Sequence, residues 1–145
     1  MLADLLKGNI HFANGMSTWE ESIKVAAEPL LSKRFINESY VQDMIKNVEI
    51  NGSYIVIAPG IAMPHAQNQG GVLKTGISFL KLENSVTYPE EKNVNILFVL
   101  AAEDSEGHLE LISDLSSLLI DEDVMEQLKQ STDEEEVLNL IESLE

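Results

Sequence analysis

Val94-Asn-Ile-Leu-Phe-Val-Leu-Ala-Ala102 is the stretch that decides the fold. A run this apolar, rich in branched side chains and too short for a typical helix, suits a strand covered on both faces. Tyr54-Ile-Val-Ile-Ala58 reads the same way. Gly76-Ile-Ser-Phe-Leu-Lys-Leu82 alternates in part and predicts a strand nearer the sheet edge, and Ile10-His-Phe-Ala13 predicts a short one. A sheet with two buried faces needs a helical layer on each.

The helices are marked at their starts. Ser17-Thr-Trp-Glu20, Ser39-Tyr-Val-Gln42 and Thr132-Asp-Glu-Glu135 each fit a capping box and predict helices over 18–32, 40–50 and 133–144. Leu111, Ile112, Leu115, Leu118 and Leu119 share one helical face and predict a helix over 107–120, and a shorter one over 121–130 follows Asp121-Glu-Asp123. Helices alternate with strands, with no repeat or linker between them. The expected fold is α/β, one domain over 1–145: a single mixed sheet with helices on both faces, a three-layer sandwich.

Charge narrows the partners. The 145 residues carry a formal charge of −16, and positions 101–145 hold 15 acidic residues against Lys129 alone. Nucleic acid and anionic membrane surfaces are both disfavoured by such a chain. No apolar run approaches the roughly 20 residues of a membrane span, and MLADLLKGNIHF lacks the basic and long apolar regions of a secretion signal. The expectation is a cytoplasmic protein with no direct membrane insertion. Val137, Leu138, Ile141 and Leu144 recur at helical spacing among the terminal acids, which predicts a packed helix with a solvated acidic face. The chain has no cysteine, so thiolate chemistry is excluded and histidine, carboxylate or hydroxyl must serve.

His11, between Ile10 and Phe12, reads as structural. His65 follows an apolar strand in Ala58-Pro-Gly-Ile-Ala-Met-Pro-His-Ala66, where Gly60 and Pro64 constrain the backbone and Ala62 and Ala66 leave space. Ligand sites of open α/β sheets collect at such strand ends. The plain alternative is a loop histidine held by a turn. His108 also follows an apolar strand; its plain alternative is packing on Leu111 or Ile112. If the strands over 54–58 and 94–102 run parallel, the two imidazoles emerge at the same end and can meet. Zinc-ligand spacing, a nucleophile elbow and phosphate-cradling glycine loops are all absent. Phosphoryl transfer onto a neutral imidazole remains, with free N–H groups expected at a helix start near His108.

Tyr54-Ile-Val-Ile-Ala-Pro-Gly-Ile-Ala-Met-Pro-His65, Gly71-Val-Leu-Lys-Thr-Gly76, Phe98-Val-Leu-Ala-Ala102 and His108-Leu-Glu-Leu-Ile-Ser-Asp-Leu-Ser116 together resemble the enzyme IIA component of the bacterial phosphoenolpyruvate-dependent sugar phosphotransferase system, of the mannitol/fructose type. The His65 segment is most similar to the ascorbate-type branch. The resemblance implies that His65 accepts a phosphoryl group from phospho-HPr and passes it to a cysteine of a separate enzyme IIB. That step serves uptake of ascorbate or a related sugar acid or pentose through the membrane enzyme IIC. It also implies that His108 supports the phosphoryl group, and that no metal or nucleotide cofactor takes part. An arginine found in some members before the histidine loop has no counterpart here; the one arginine is Arg34, and Lys46 is the nearest cation.

Two further readings stay open: a phosphorylation-dependent regulatory module that binds a partner protein, and an unrelated small-molecule-binding domain. Ile61 and Met63, alternating with Ala62 beside His65, are candidates for an apolar docking patch if one or both face outward.

Overall fold

The computed structural model describes residues 1–145. One sheet holds five strands: β1 (Ile10–Ala13), β2 (Val56–Ala58), β3 (Gly60–Ala62), β4 (Gly76–Tyr88) and β5 (Lys92–Ala101). Their order is β1-β4-β5-β3-β2. β1 runs parallel to β4 and β3 parallel to β5, while β4/β5 and β2/β3 are antiparallel. The sheet is therefore mixed, as expected.

Helices cover both faces. Side chains of β5 alternate between two cores: Val94, Leu97, Val99 and Ala101 pack with α2 (Trp19–Ser32) and α3 (Glu38–Asn51). Ile96, Phe98, Leu100 and Ala102 pack with α1 (Leu2–Leu6), α4 (Ser105–Leu119), α5 (Glu122–Gln130) and α6 (Glu134–Leu144). Both faces are dry, and residues 96–102, the end of β5 and the residue after it, are all apolar and buried. The terminal acidic segment is the packed helix that its periodicity predicts: Val137 and Ile141 of α6 are fully buried.

Three details differ from the sequence reading. The apolar run over 54–58 is not a central strand. Pro59, which lacks an N–H, and Gly60, at φ +84°, break the chain into the β2/β3 hairpin, so β2 lies at the sheet edge and β3 takes the place beside β5. β4 lies nearer an edge than β5, as expected, one strand in from β1, but it is longer than expected, continuing past Leu82 to Tyr88. The caps of α2 and α6 sit one residue later than expected: Thr18 accepts from the Glu21 N–H and Asp133 from the Glu136 N–H. Each glutamate reaches back to the residue before the cap, Ser17 and Thr132 respectively. α3 is capped earlier, by Asn37, which accepts from the Tyr40 N–H. α1 has no side-chain cap and only five residues, and no start signal announced it.

Buried polar groups are all partnered. The Ser78 hydroxyl donates to the Ala26 carbonyl at 2.5 Å, Ser22 shares a hydrogen bond with the Tyr88 hydroxyl at 2.7 Å, and Asn9 donates to the Ile77 carbonyl at 3.2 Å. These bonds fasten α2 and the α1–β1 connection to β4.

Gly60 sets the hairpin that delivers the loop beyond β3. A β-carbon there would sit 2.8 Å from Asn95 Oδ1 on a left-handed backbone. Gly60→Ala is expected to lower unfolding free energy by about 1–2 kcal/mol, read as a reduced urea midpoint at unchanged slope.

Candidate functional site

β3 and β5 run parallel, so their carboxyl ends lie together, and His65 and His108 follow them. The two imidazole centroids are 5.2 Å apart with ring planes at 58°. The sequence expectation that the histidines meet therefore holds, although β3 rather than the 54–58 segment supplies the parallel strand.

The His65 loop is fixed atom by atom. The Met63 N–H donates to the Ile55 carbonyl at 2.8 Å, and the Leu100 N–H donates to the Pro64 carbonyl at 3.0 Å. The Ala66 N–H donates at 3.1 Å to the hydroxyl of Tyr40, which itself donates at 2.5 Å to the Leu100 carbonyl. Tyr40 is buried on α3, so it is a strut joining that helix, the His65 loop and the end of β5. Sequence reading met it only inside the Ser39-Tyr-Val-Gln42 motif and gave it no role. The available signal was its hydroxyl: a tyrosine on an apolar helix face must find partners for a buried O–H.

His65 Nδ1 lies 2.5 Å from the Met63 carbonyl oxygen. A carbonyl can only accept, so Nδ1 carries the proton and Nε2 the free lone pair. Burial pushes the pKa of His65 below the usual imidazole value; the Met63 carbonyl opposes that shift, and repulsion from His108 adds to it. Burial also lowers that of His108. Both rings are therefore neutral near pH 7. The Tyr54 ring stands edge-to-face against His65, with centroids 5.8 Å apart.

A cavity of about 460 Å³ opens over the pair and is lined also by Asp43, Lys46, Asn47, Ile50, Tyr54 and glutamines 67 and 69. Lys46 is its only permanent cation. Arg34 lies elsewhere, in the turn after α2, with a left-handed backbone. No group of three or more histidine or carboxylate side chains converges as metal ligands do.

Two expectations are corrected. Ile61 and Met63 are 0% and 2% exposed and belong to the core under α1, α4 and α6, so they form no outward docking patch. Ile61 is inward because β3 pairs on both sides and its face is covered by helices, and the Met63 N–H is fastened to the Ile55 carbonyl. The free N–H groups expected at His108 are also occupied. α4 begins at Ser105, the Gly107 N–H donates to Asp104 Oδ1 at 2.7 Å, and the His108 N–H donates to the Asp104 carbonyl at 3.0 Å. Asp104 is the helix cap, and His108 contributes its ring instead of its backbone.

Residues 5–144 match the family described as phosphoenolpyruvate-dependent sugar phosphotransferase system, EIIA 2. The chain belongs to this family. Its members are phosphotransferases, and two Escherichia coli (strain K12) relatives represent different branches. The mannitol-specific cryptic phosphotransferase enzyme IIA component is 35% identical over 136 residues, covering 93% of this chain and 92% of its own. The ascorbate-specific EIIA component is 37% identical over 127 residues, covering 86% and 82%. A further enzyme IIA structure, that of E. coli mannitol IIA in complex with phosphorylated enzyme IIB, superposes with a TM-score of 0.82 at 30% identity over 94% of this chain and 95% of that one. No helix of this enzyme IIA family member is long and apolar enough to cross a membrane.

Tyr40→Phe removes the strut and leaves the Ala66 N–H and Leu100 carbonyl without it. The expected cost is about 1–3 kcal/mol of folding stability, measured by urea unfolding followed by tryptophan fluorescence.

Proposed function

We propose that this chain is a cytoplasmic phosphoryl carrier. Nε2 of His65 takes a phosphoryl group from phospho-HPr and passes it to a cysteine thiolate of enzyme IIB, which serves the membrane enzyme IIC in sugar uptake. The observation that carries this reading is the engagement of His65 Nδ1 by the Met63 carbonyl, which commits the ring to the tautomer with a nucleophilic Nε2. In loading, the Nε2–P bond forms as the bond from phosphorus to the donor breaks. In unloading, an S–P bond forms as Nε2–P breaks. His65 keeps its Nδ1 proton in both steps, so neither needs a general base.

His108 and Lys46 face the same cavity and are suited to support the negative phosphoryl oxygens, one through a ring N–H and the other as a point charge. The work of the site is positioning and electrostatics, as expected for a loose phosphoryl-transfer transition state. The mannitol relative's complex with phosphorylated enzyme IIB supports the acceptor assignment. The similarity of the His65 segment to the ascorbate-type branch, beside overall identities of 37% to the ascorbate component and 35% to the mannitol one, supports ascorbate, or a related sugar acid or pentose, as the transported compound.

The decisive experiment supplies phosphoenolpyruvate, enzyme I and HPr, locates acid-labile phosphate by mass spectrometry, and then offers the loaded protein to ascorbate-type and mannitol-type enzyme IIB. His65→Ala is expected to take no phosphate, and His108→Ala to load about 10²-fold more slowly. Native-rate loading of His65→Ala overturns the reading. A loaded protein that donates to neither enzyme IIB points to the regulatory module instead.

Protonation of His65 removes the Nε2 lone pair, so loading requires the neutral ring. Burial holds the folded pKa below the usual imidazole value of about 6.5, so the loading rate is expected to fall in acid with a midpoint below that value, by stopped-flow kinetics. A midpoint at or above the usual imidazole value contradicts it.

A further inference from the structure

The two imidazoles sit on separate segments, and something must set their spacing. Asn68, three residues beyond His65, uses every polar atom of its side chain. Its Oδ1 accepts from the Gly70 N–H at 2.9 Å and from the Val72 N–H at 3.0 Å, closing the loop on itself. Its Nδ2 donates to the Val72 carbonyl at 3.2 Å and to the Glu103 carbonyl at 2.8 Å. Two N–H groups on one side and two carbonyls on the other leave one orientation of the amide. Only the last bond leaves the loop.

Glu103 immediately precedes the α4 cap, and it is gripped from a second direction. Its N–H donates to Thr75 Oγ1 at 3.1 Å, and its Oε1 accepts from the Thr75 N–H at 3.2 Å. The segment 67–75 thus encloses the residue from which the His108 helix is launched. Tyr40 fastens the other side of the His65 loop to β5. Asn68 makes no hydrogen bond to either imidazole.

We infer that Asn68 is a positioning residue for phosphoryl transfer, its bond to the Glu103 carbonyl holding the His65 loop against the start of α4 and thereby setting the approach of His65 to His108. The inference rests on the carrier reading above. A displacement on the order of 1 Å between reacting and supporting groups can cost about 10²-fold in rate, so a clasp exposed at the surface and remote from the phosphoryl group can still control transfer.

Two variants test it. Asn68→Asp keeps the oxygen that accepts from Gly70 and Val72 but turns an anionic oxygen toward the Glu103 carbonyl; Asn68→Ala removes both sets of bonds. Each is expected to load from phospho-HPr at about one-tenth of the wild-type rate or less, and to lose the nuclear Overhauser contact between the His65 and His108 ring protons. In a His108→Ala background the same substitutions should cost less than about threefold, because there is no second ring to align. Wild-type loading rates in both variants overturn the inference. So does a tenfold loss that persists undiminished in the His108→Ala background while the ring contact survives in the single variants. Should the wild-type protein take no phosphate, the carrier reading falls instead, and the ring contact alone decides the clasp: its loss in the Asn68 variants supports it and its retention refutes it.

Discussion

The pairing of the three-residue strand β3 along β5 is the constraint on which the site depends. It is short, and its register shifts between Gly60 and Ile61, yet it fixes the direction in which the chain leaves the sheet. Parallel alignment sends the loop after β3 and the helix after β5 out at one end. Antiparallel alignment would place His65 and His108 at opposite ends, a strand length apart. Pro59 and Gly60 make this possible by turning the chain over between β2 and β3, so that an edge hairpin, and not a helical crossover, supplies the parallel partner. Tyr40, Asn68 and the Met63 carbonyl then refine a placement that the strand pairing has already made coarse-grained.

Much of this was legible in the residues, and the failures have identifiable causes. β5 was plain because burial on both faces removes the alternation that would otherwise have to be interpreted. The 54–58 run looked equally apolar, but Ile57 is 38% exposed at the sheet edge. Hydrophobicity records what a strand can bury and is silent on whether a neighbour pairs with it. Cap positions slipped by a residue because serine and threonine stand side by side at 17–18, and Thr132 precedes Asp133; backbone conformation chooses between adjacent candidates. The outward reading of Ile61 and Met63 failed for a related reason. Alternation predicts opposite faces, but in a sandwich both faces are interior. The histidine pair was legible because strand ends in α/β sheets gather sites, whereas Asn68 and Tyr40 act through backbone partners that no side-chain pattern reveals.

Electrostatics at the site runs against that of the whole molecule. The chain carries −16, and a single ion pair, between the amino terminus and Glu145, lies within bonding distance. The remaining acids stay in water, several in the first turns of α4, α5 and α6, where the helix dipole favours them. The histidine cavity has Asp43 and Lys46 and no other ionised lining group, so an incoming dianion meets a locally balanced environment. Of the acids near His108 in sequence, Glu103 and Asp104 are committed to the Thr75 contact and the α4 cap, and Glu106 and Glu110 are exposed.

The hydrogen bond between His65 Nδ1 and the Met63 carbonyl has a consequence for the loaded state. A ring that keeps its Nδ1 proton while Nε2 carries phosphorus bears a formal positive charge. The burial that disfavours a protonated imidazole disfavours that charge as well, opposed by the carbonyl dipole and by the negative phosphoryl oxygens themselves. In the proposed reaction the phosphoryl group therefore sits on a ring that gains by releasing it. A more comfortable pocket would make a better reservoir and a worse courier, and the half-buried setting of this imidazole favours onward delivery over storage.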